Sequence, residues 1–397
     1  MTKLGRLMRL SARRSKYVLI VAGLLVVGIV AARIPALVES HYNRVLHAPP
    51  YDASPESRNL HSRLLIVDLH ADSLLWGRNL LARSNRGHVD VPRLVDANVA
   101  VQVFTVVTKI PRGLNLDRNG DDTDLVTALA IGDRWPARTW GSLKQRALYQ
   151  ASRLQEMARD SHSSLVFVST SAQLDQYLHD RQQHHGMVAC VLGLEGAHAL
   201  EGNINNVDEL FEAGFRLVGL THFFDNEFAG SSTGIHQHGL TSKGSELVRA
   251  LEAHHILIDL AHASGPTIDD VTAMATRPVV VSHTGVRGTC DNPRNLSDEQ
   301  IREVAKTGGV IGVGYWRMAV CGTDAASIAR AIRYTVNIAG VEHVALGSDF
   351  DGSTVTPFDA TGIVQITDAL MKDGFTEGEI RLIMGENSLR VLRQSLP

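Results

Sequence analysis

Eight compact runs rich in Val, Ile and Leu punctuate the chain, at residues 64–69, 99–107, 187–194, 216–221, 256–261, 278–282, 310–315 and 343–348. Each has strand length and is continuously apolar rather than alternating, the pattern of strands buried on both faces. Between most of them lie helical periodicities. These include Lys243 to His254, Ala325 to Ile338, and Ser297 to Lys306 with a Ser297-Asp298-Glu299-Gln300 capping-box start. Doubly buried strands alternating with helices predict an α/β fold, a TIM-type (β/α)8 barrel. A chain of 397 residues, 44% apolar and 20% charged, can bury such a core and is not disordered or fibrous. No 20–50-residue period repeats, which argues against solenoids and propellers. The tail from Thr376 to Gln394 reads as helix that closes the barrel.

One connection is unusually long. Residues 108–186 hold a polar loop, Arg112 to Asp124, and two helix-like segments, Ser142 to Asp160 and Ser171 to Gln183. They read as an insertion over one end of the barrel. The acidic loop within it lacks the spacing and terminal Glu of an EF-hand, so it reads as a solvated loop.

What terminates the apolar runs is informative. His70 and Asp72 follow the first, Glu195 the third, His222 the fourth, His262 the fifth, His283 the sixth and Asp349 the eighth. In a parallel barrel all strand C-termini open on one face, so these distant residues converge. A single such His is more often a hydrogen-bonded structural residue. Burying several carboxylates and imidazoles together without a cation is costly, so a shared metal centre is expected. In His70-Ala71-Asp72 the two polar side chains point the same way from an extended backbone and can hold one ion. His262 and His283 end consecutive strands, about 4.8 Å apart if adjacent, and suit a second ion. Glu195 can bridge the two. Nitrogen and oxygen donors without thiolate suit two Zn²⁺, with Mn²⁺ or Co²⁺ as substitutes, and such a pair can share an activated hydroxide for hydrolysis. Asp349 would accept the water proton and pass it to a leaving amine. Asp351, before Gly352, fits a turn role better.

The N-terminus has its own character. Lys3, Arg6, Arg9, Arg13, Arg14 and Lys16 precede an uncharged apolar run from Tyr17 to Ala32. Its positive flank belongs on the cytoplasmic side. Val30-Ala31-Ala32 satisfies the small-residue rule for signal cleavage, whereas the run's length and lack of a breaker favour an uncleaved anchor. Either way the body is expected outside the cytoplasm, at the cell membrane or in the periplasm, and secreted if the signal is cleaved. From residue 34 onward 32 bases face 42 acids, a poor composition for binding nucleic acid through phosphates. The expected organisation is a basic and membrane segment at 1–38, a polar linker at 39–62 and a catalytic barrel at 63–397. Of the three cysteines, Cys190 lies in an apolar strand and reads as packing. Cys290 and Cys321 fall on loops of the active-site face, where a disulfide is an option in an exported domain.

These segments resemble a known family. Asp68-Leu69-His70-Ala71-Asp72, Leu194-Glu195-Gly196-Ala197-His198, Leu220-Thr221-His222, Ile258-Asp259-Leu260-Ala261-His262, Ser282-His283-Thr284, Pro293-Arg294-Asn295 and Gly347-Ser348-Asp349-Phe350-Asp351-Gly352 look like the membrane dipeptidase family of zinc metallopeptidases. The resemblance runs from about residue 62 to 393, with the motifs in family order. It implies an amidohydrolase-like barrel whose zinc ions are held by His70 and Asp72 and by His262 and His283, with Glu195 bridging. It further implies that His222 contacts substrate near the scissile carbonyl, that Arg294 binds the substrate carboxylate and that Asp349 transfers protons. Arginine suits that task because it can form a bidentate charge-assisted pair. His198, three residues past Glu195, would support the site without ligating.

The chain departs from familiar members at Ala71, where many relatives carry Asn, and at Ser73, neither of which removes a ligand. No hydrophobic C-terminal tail for lipid anchoring precedes Ser395-Leu396-Pro397. The leading expectation is a metal-dependent dipeptidase acting on free dipeptides, including those with a C-terminal D-residue. Relatives often dimerise, so a homodimer is compatible with the resemblance. Two alternatives stand beside it: a barrel metallohydrolase for another amide, lactone or ester, and a non-catalytic metal-bound receptor or scaffold.

Overall fold

The structure, a computed structural model, describes residues 33–397. The basic segment and the apolar run from Tyr17 to Ala32 lie outside the described residues. No helix among the described residues is long and apolar enough to cross a membrane. Nine strands form one parallel sheet: β1 Ile66–Ala71, β2 Val99–Val107, β3 Leu165–Phe167, β4 Val188–Glu195, β5 Phe215–Gly219, β6 Leu257–Asp259, β7 Val280–Thr284, β8 Val310–Val313 and β9 Val344–Leu346. The order is β2-β1-β9-β8-β7-β6-β5-β4-β3, and pairing of β2 with β4 closes eight strands into the expected barrel.

The ninth strand corrects the sequence reading. β3 pairs with β4 at Val188 to Cys190, leaving Leu192 to Leu194 of the same edge to β5. The segment 108–186 is therefore only partly an insertion. Its helix Leu143–Asp160 buries Ala147, Ala151 and Leu154 in the main core and belongs to the barrel wall. What lies over the mouth is the earlier part, the loop to Asp124 and a short helix, Leu125–Gly132, that the sequence reading passed over.

The expected linker at 39–62 is also packed. Residues 33–42 are helical, and Glu39 is buried in ion pairs with Arg78 and Arg86. Ser54 caps helix Pro55–His61, and its backbone N–H donates to Asp368 Oδ1 at 3.0 Å. Composition read as polar because these side chains pair with partners far along the chain.

Strand alternation sorts the core into two layers. Val67, Leu69, Val101, Val103, Ala189, Val191, Leu217, Leu257, Val280, Val310 and Ala345 cluster inside the barrel. Ile66, Phe104, Val281, Ile311 and Val313 face outward to the helices. The tail fulfils its expected role, with Leu389, Leu392 and Leu396 joining the inner cluster. The helix bends at Gly385, where a Cβ would stand 1.8 Å from the Leu65 carbonyl oxygen, so only glycine permits this approach to β1.

Candidate metal centre and active site

Two irregularities in the sheet aim the key side chains. On β1, Asp68 pairs with Gln102 but Ala71 with Phe104, so three steps on one strand meet two on the other. On β7, Val281 pairs with Ile311 and Thr284 with Val313, the same mismatch. Each extra residue reverses the alternation. His70 and Asp72 thus face inward after Val67 and Leu69, and Ser282 and His283 both face inward above Val280. The His70 and His283 rings consequently stand 3.7 Å apart.

Glu195, at the end of β4, occupies the centre. Its Oε1 is 3.6 Å from His70 Nε2, 3.1 Å from His262 Nε2 and 3.4 Å from His283 Nε2, while Oε2 is 3.2 Å from His222 Nε2. Asp72 Oδ1 is 3.5 Å from His70 Nε2. Donor atoms of three trios lie within 4.8 Å of one another: His70, Glu195 and His283; Glu195, His222 and His262; His70, Asp72 and Asp349. The predicted metal residues are therefore together. His222 and Asp349, expected to serve substrate and proton transfer, stand among them.

Supporting groups fix the orientations. The Ser282 hydroxyl donates to Asp259 Oδ2 at 2.6 Å, which leaves its lone pairs to accept from His70 Nδ1 at 3.0 Å and His283 Nδ1 at 2.9 Å. Both imidazoles thereby carry their proton on Nδ1 and present the Nε2 lone pair to the centre. Asp259 is held in turn by the N–H groups of Ala261 and Ser282. Thr105 Oγ1 donates to Asp72 Oδ1 at 2.6 Å. The sequence reading assigned no role to Ser282, Asp259 or Thr105. An acid inside an apolar strand, as at Asp259, was the available signal.

The electrostatics fit a cation. Burial pushes the His222, His262 and His283 imidazoles well down, which keeps them neutral and able to donate a lone pair. Burial pushes Glu195 up, and Asp72 beside it adds to the rise. For His70 burial acts downward, but Asp72 and Glu195 outweigh it and lift the group to about 10, so these carboxylates favour positive charge at Nε2, and a cation held there would take the place of that proton. Buried His70 Nε2, Glu195 Oε2, His222 Nδ1 and His262 Nδ1 make no hydrogen bond within the protein. Neutral imidazoles, clustered carboxylates and unpaired polar atoms form a donor set suited to divalent cations.

The remaining expected residues fall around this centre. Arg294, on the loop after β7, is buried, donates from Nη2 to the His283 carbonyl at 2.9 Å and lies 6.0 Å from the Trp316 ring. It shares a cavity of about 210 Å³ with Glu195, His222, Asp349, Phe223, Trp316, Met318 and the loop residues Leu114 to Leu116. That is the volume of roughly seven liquid waters, sized for a small substrate. His198 accepts from or donates to Thr108 Oγ1 at 3.0 Å, packs on Phe224 and stays outside the trios. Asp349 sits in the left-handed region, as do His262, Asp351 and Ser353. Gly352 permits this turn, since a Cβ there would lie 1.9 Å from Asp349 Oδ1. Asp351 is a buried anchor as well as a turn residue, taking Ser73 Oγ, the His88 N–H and Arg78 Nη2. A disulfide joins Cys290 to Cys321, with a Cα separation of 5.2 Å. Asn295 bridges the same two loops, donating to the carbonyls of Cys290 and Met318.

The sequence profile of membrane dipeptidase, peptidase family M19, matches residues 55–396. The chain belongs to the membrane dipeptidase family. This is a family of metal-dependent dipeptidases, and its match spans the whole barrel. Among solved structures, dipeptidase AC, an M19 metallopeptidase, is 23% identical with a TM-score of 0.70, covering 84% of this chain and 99% of that one. A metallopeptidase from Rhodobacter sphaeroides, liganded with a phosphinate mimic of the dipeptide L-Ala-D-Ala, is 22% identical with a TM-score of 0.69 over 84% and 99%. At these identities the likeness establishes the barrel fold. An uncharacterised Klebsiella pneumoniae protein from the pqqA 5′ region is 29% identical over 62% of this chain and 94% of its own.

Proposed function

We propose that the protein is a dinuclear zinc dipeptidase that cleaves free dipeptides, including those with a C-terminal D-residue. The observation that carries this reading is the placement of Glu195 among four imidazoles, with Arg294 on the wall of the same small cavity. His70 and Asp72 would hold one ion and His262 and His283 the other, with Glu195 shared. Zinc held there supplies Lewis acidity toward the scissile carbonyl and acidifies a water for attack.

The chain's own residues divide the rest of the work. Arg294 grips the substrate carboxylate, and Glu195 and Asp349 favour its charge against the effect of burial. His222 donates to the oxygen of the scissile carbonyl as negative charge develops there, so the transition state gains more than the ground state. Asp349 accepts the proton of the attacking water and returns it to the departing amine as the C–N bond breaks. Acceptance of a D-residue is supported by the L-Ala-D-Ala mimic bound to the Rhodobacter sphaeroides relative. The apolar run from Tyr17 to Ala32 would anchor the barrel at the membrane with its site on the extracytoplasmic side.

The full chain, purified in detergent and loaded with zinc, is to be assayed on dipeptides of both C-terminal configurations and on matched tripeptides. Chelator-sensitive cleavage restricted to dipeptides is expected. Silence across the panel with two zinc ions bound, or equal cleavage of tripeptides, overturns the proposal.

A further inference from the structure

We infer that Glu39 is a positioning residue for Asp349, acting through Arg78 and Asp351. The helix of residues 33–42, next to the apolar run, thereby becomes a working part of the active site. The inference rests on the dipeptidase reading, in which Asp349 moves the proton, and adds a residue to it. That helix lies ahead of residues 55–396, the stretch that matches the family profile.

The turn that carries Asp349 is strained. Asp349, Asp351 and Ser353 sit at φ of 58°, 62° and 59°, a backbone region costly for residues that carry a Cβ. Such a turn persists where its surroundings over-determine it, and here they act on Asp351. The Asp351 N–H donates to His88 Nδ1 at 2.9 Å, and its carbonyl accepts from Trp76 Nε1 at 2.7 Å. Its carboxylate accepts from the His88 N–H at 2.6 Å, Ser73 Oγ at 2.6 Å and Arg78 Nη2 at 2.5 Å.

Arg78 is itself held from the N-terminal helix. It is buried, with Nε donating to Glu39 Oε1 and Nη1 to the Val89 carbonyl at 2.6 Å. The other oxygen of Glu39 takes Arg86 Nε. Gly87 makes room for the cluster, since a Cβ there would stand 2.5 Å from Arg78 Nη2 and 2.8 Å from Asp351 Oδ1. Two guanidinium groups thus meet two carboxylates. Without Glu39, Arg78 keeps one carboxylate in place of two and Arg86 loses this partner. A buried guanidinium short of a partner shifts toward another acceptor or toward water. Such a shift of Arg78 releases Asp351, and the strained turn relaxes with Asp349 on it.

The test uses the zinc-loaded full chain with alanyl-alanine as substrate. Glu39→Ala should lower kcat at least tenfold, while KM and zinc content change less than twofold. Combined with Asp349→Asn, the same substitution should cost less than a further twofold, because its effect passes through Asp349. Unchanged kcat, or a tenfold loss that persists in the Asp349→Asn background, overturns the inference. A lower urea midpoint with kcat intact in the folded fraction also overturns it. If Glu39→Ala does not fold, Glu39→Gln keeps the shape, removes the charge and is held to the same outcomes. If no dipeptide is cleaved, the dipeptidase reading fails, and deuterium exchange judges the coupling separately. The amides of Phe350 to Gly352 should then exchange at least fivefold faster in the variant than in wild type, with those of β7 unchanged. Equal exchange overturns the coupling.

Discussion

At the N-terminal end of the barrel, Val67, Val101, Ala189, Leu217, Leu257, Val280, Val310 and Ala345 meet one another, and Leu389, Leu392 and Leu396 cover them. At the C-terminal end six of these strands finish in His70, Glu195, His222, His262, His283 and Asp349, all buried, the first four with a polar atom unpaired. The lower end follows the rules of a packed core and stabilises the fold. Buried polar groups at the upper end cost stability, which the lower core offsets. Substitutions should therefore separate into those that lower activity and those that lower stability.

The largest effect is expected from Asp349→Asn. It should retain metal by elemental analysis and lose roughly 10³-fold in kcat, the scale of a removed general base. Unchanged turnover would exclude Asp349 from proton transfer. At the other end, Leu392→Ala should lower unfolding free energy by about 3 kcal/mol in urea titrations, with kcat intact in the folded fraction. If kcat falls as well, the two ends are not energetically separate. Next, Arg294→Ala should cost about 2 kcal/mol in kcat/KM on substrates with a free carboxylate, the worth of a charge-assisted hydrogen bond. Equal loss on C-amidated analogues would contradict a carboxylate grip.

An effect of about the same size tests whether the lower end is free of titrating groups. His61, on the helix before β1, donates from Nε2 to the Ala97 carbonyl at 3.1 Å and accepts at Nδ1 from Thr367 at 2.8 Å. Burial holds its imidazole down at about 4, against an ordinary value of 6.5. The folded protein therefore favours neutral His61, a contribution present above about pH 6.5 and lost as pH falls toward 4. Between pH 8 and pH 5 the loss should be about 2 kcal/mol. Urea midpoints for wild type and His61→Gln should differ in slope over that range, and parallel curves would dismiss the effect.

The strands were legible because barrel strands are continuously apolar, and β2 begins and ends where its run does. The capping box at Ser297 is present as read. Bringing Glu195 together with His70, His262 and His283 needed only the rule that strand ends share a face. The bulges on β1 and β7 were not legible, because register depends on the neighbouring strand rather than on local sequence. β3 sits in an apolar run of only four residues, Leu165 to Val168, shorter than the runs that marked the equally short β6 and β9. The docking of residues 39–62 escaped notice because Glu39 pairs with Arg78, and Ser54 with Asp368, contacts that composition does not encode.

The closing helix also imposes an order on folding. Leu389, Leu392 and Leu396 complete an interior begun by Val67, and the Pro397 carbonyl accepts the Ser171 N–H. Until that helix docks, the interior stays open at its lower end, so closure of the barrel waits on it. An intermediate that lacks the docked helix displays a hydrophobic funnel, which chaperones and proteases would meet first.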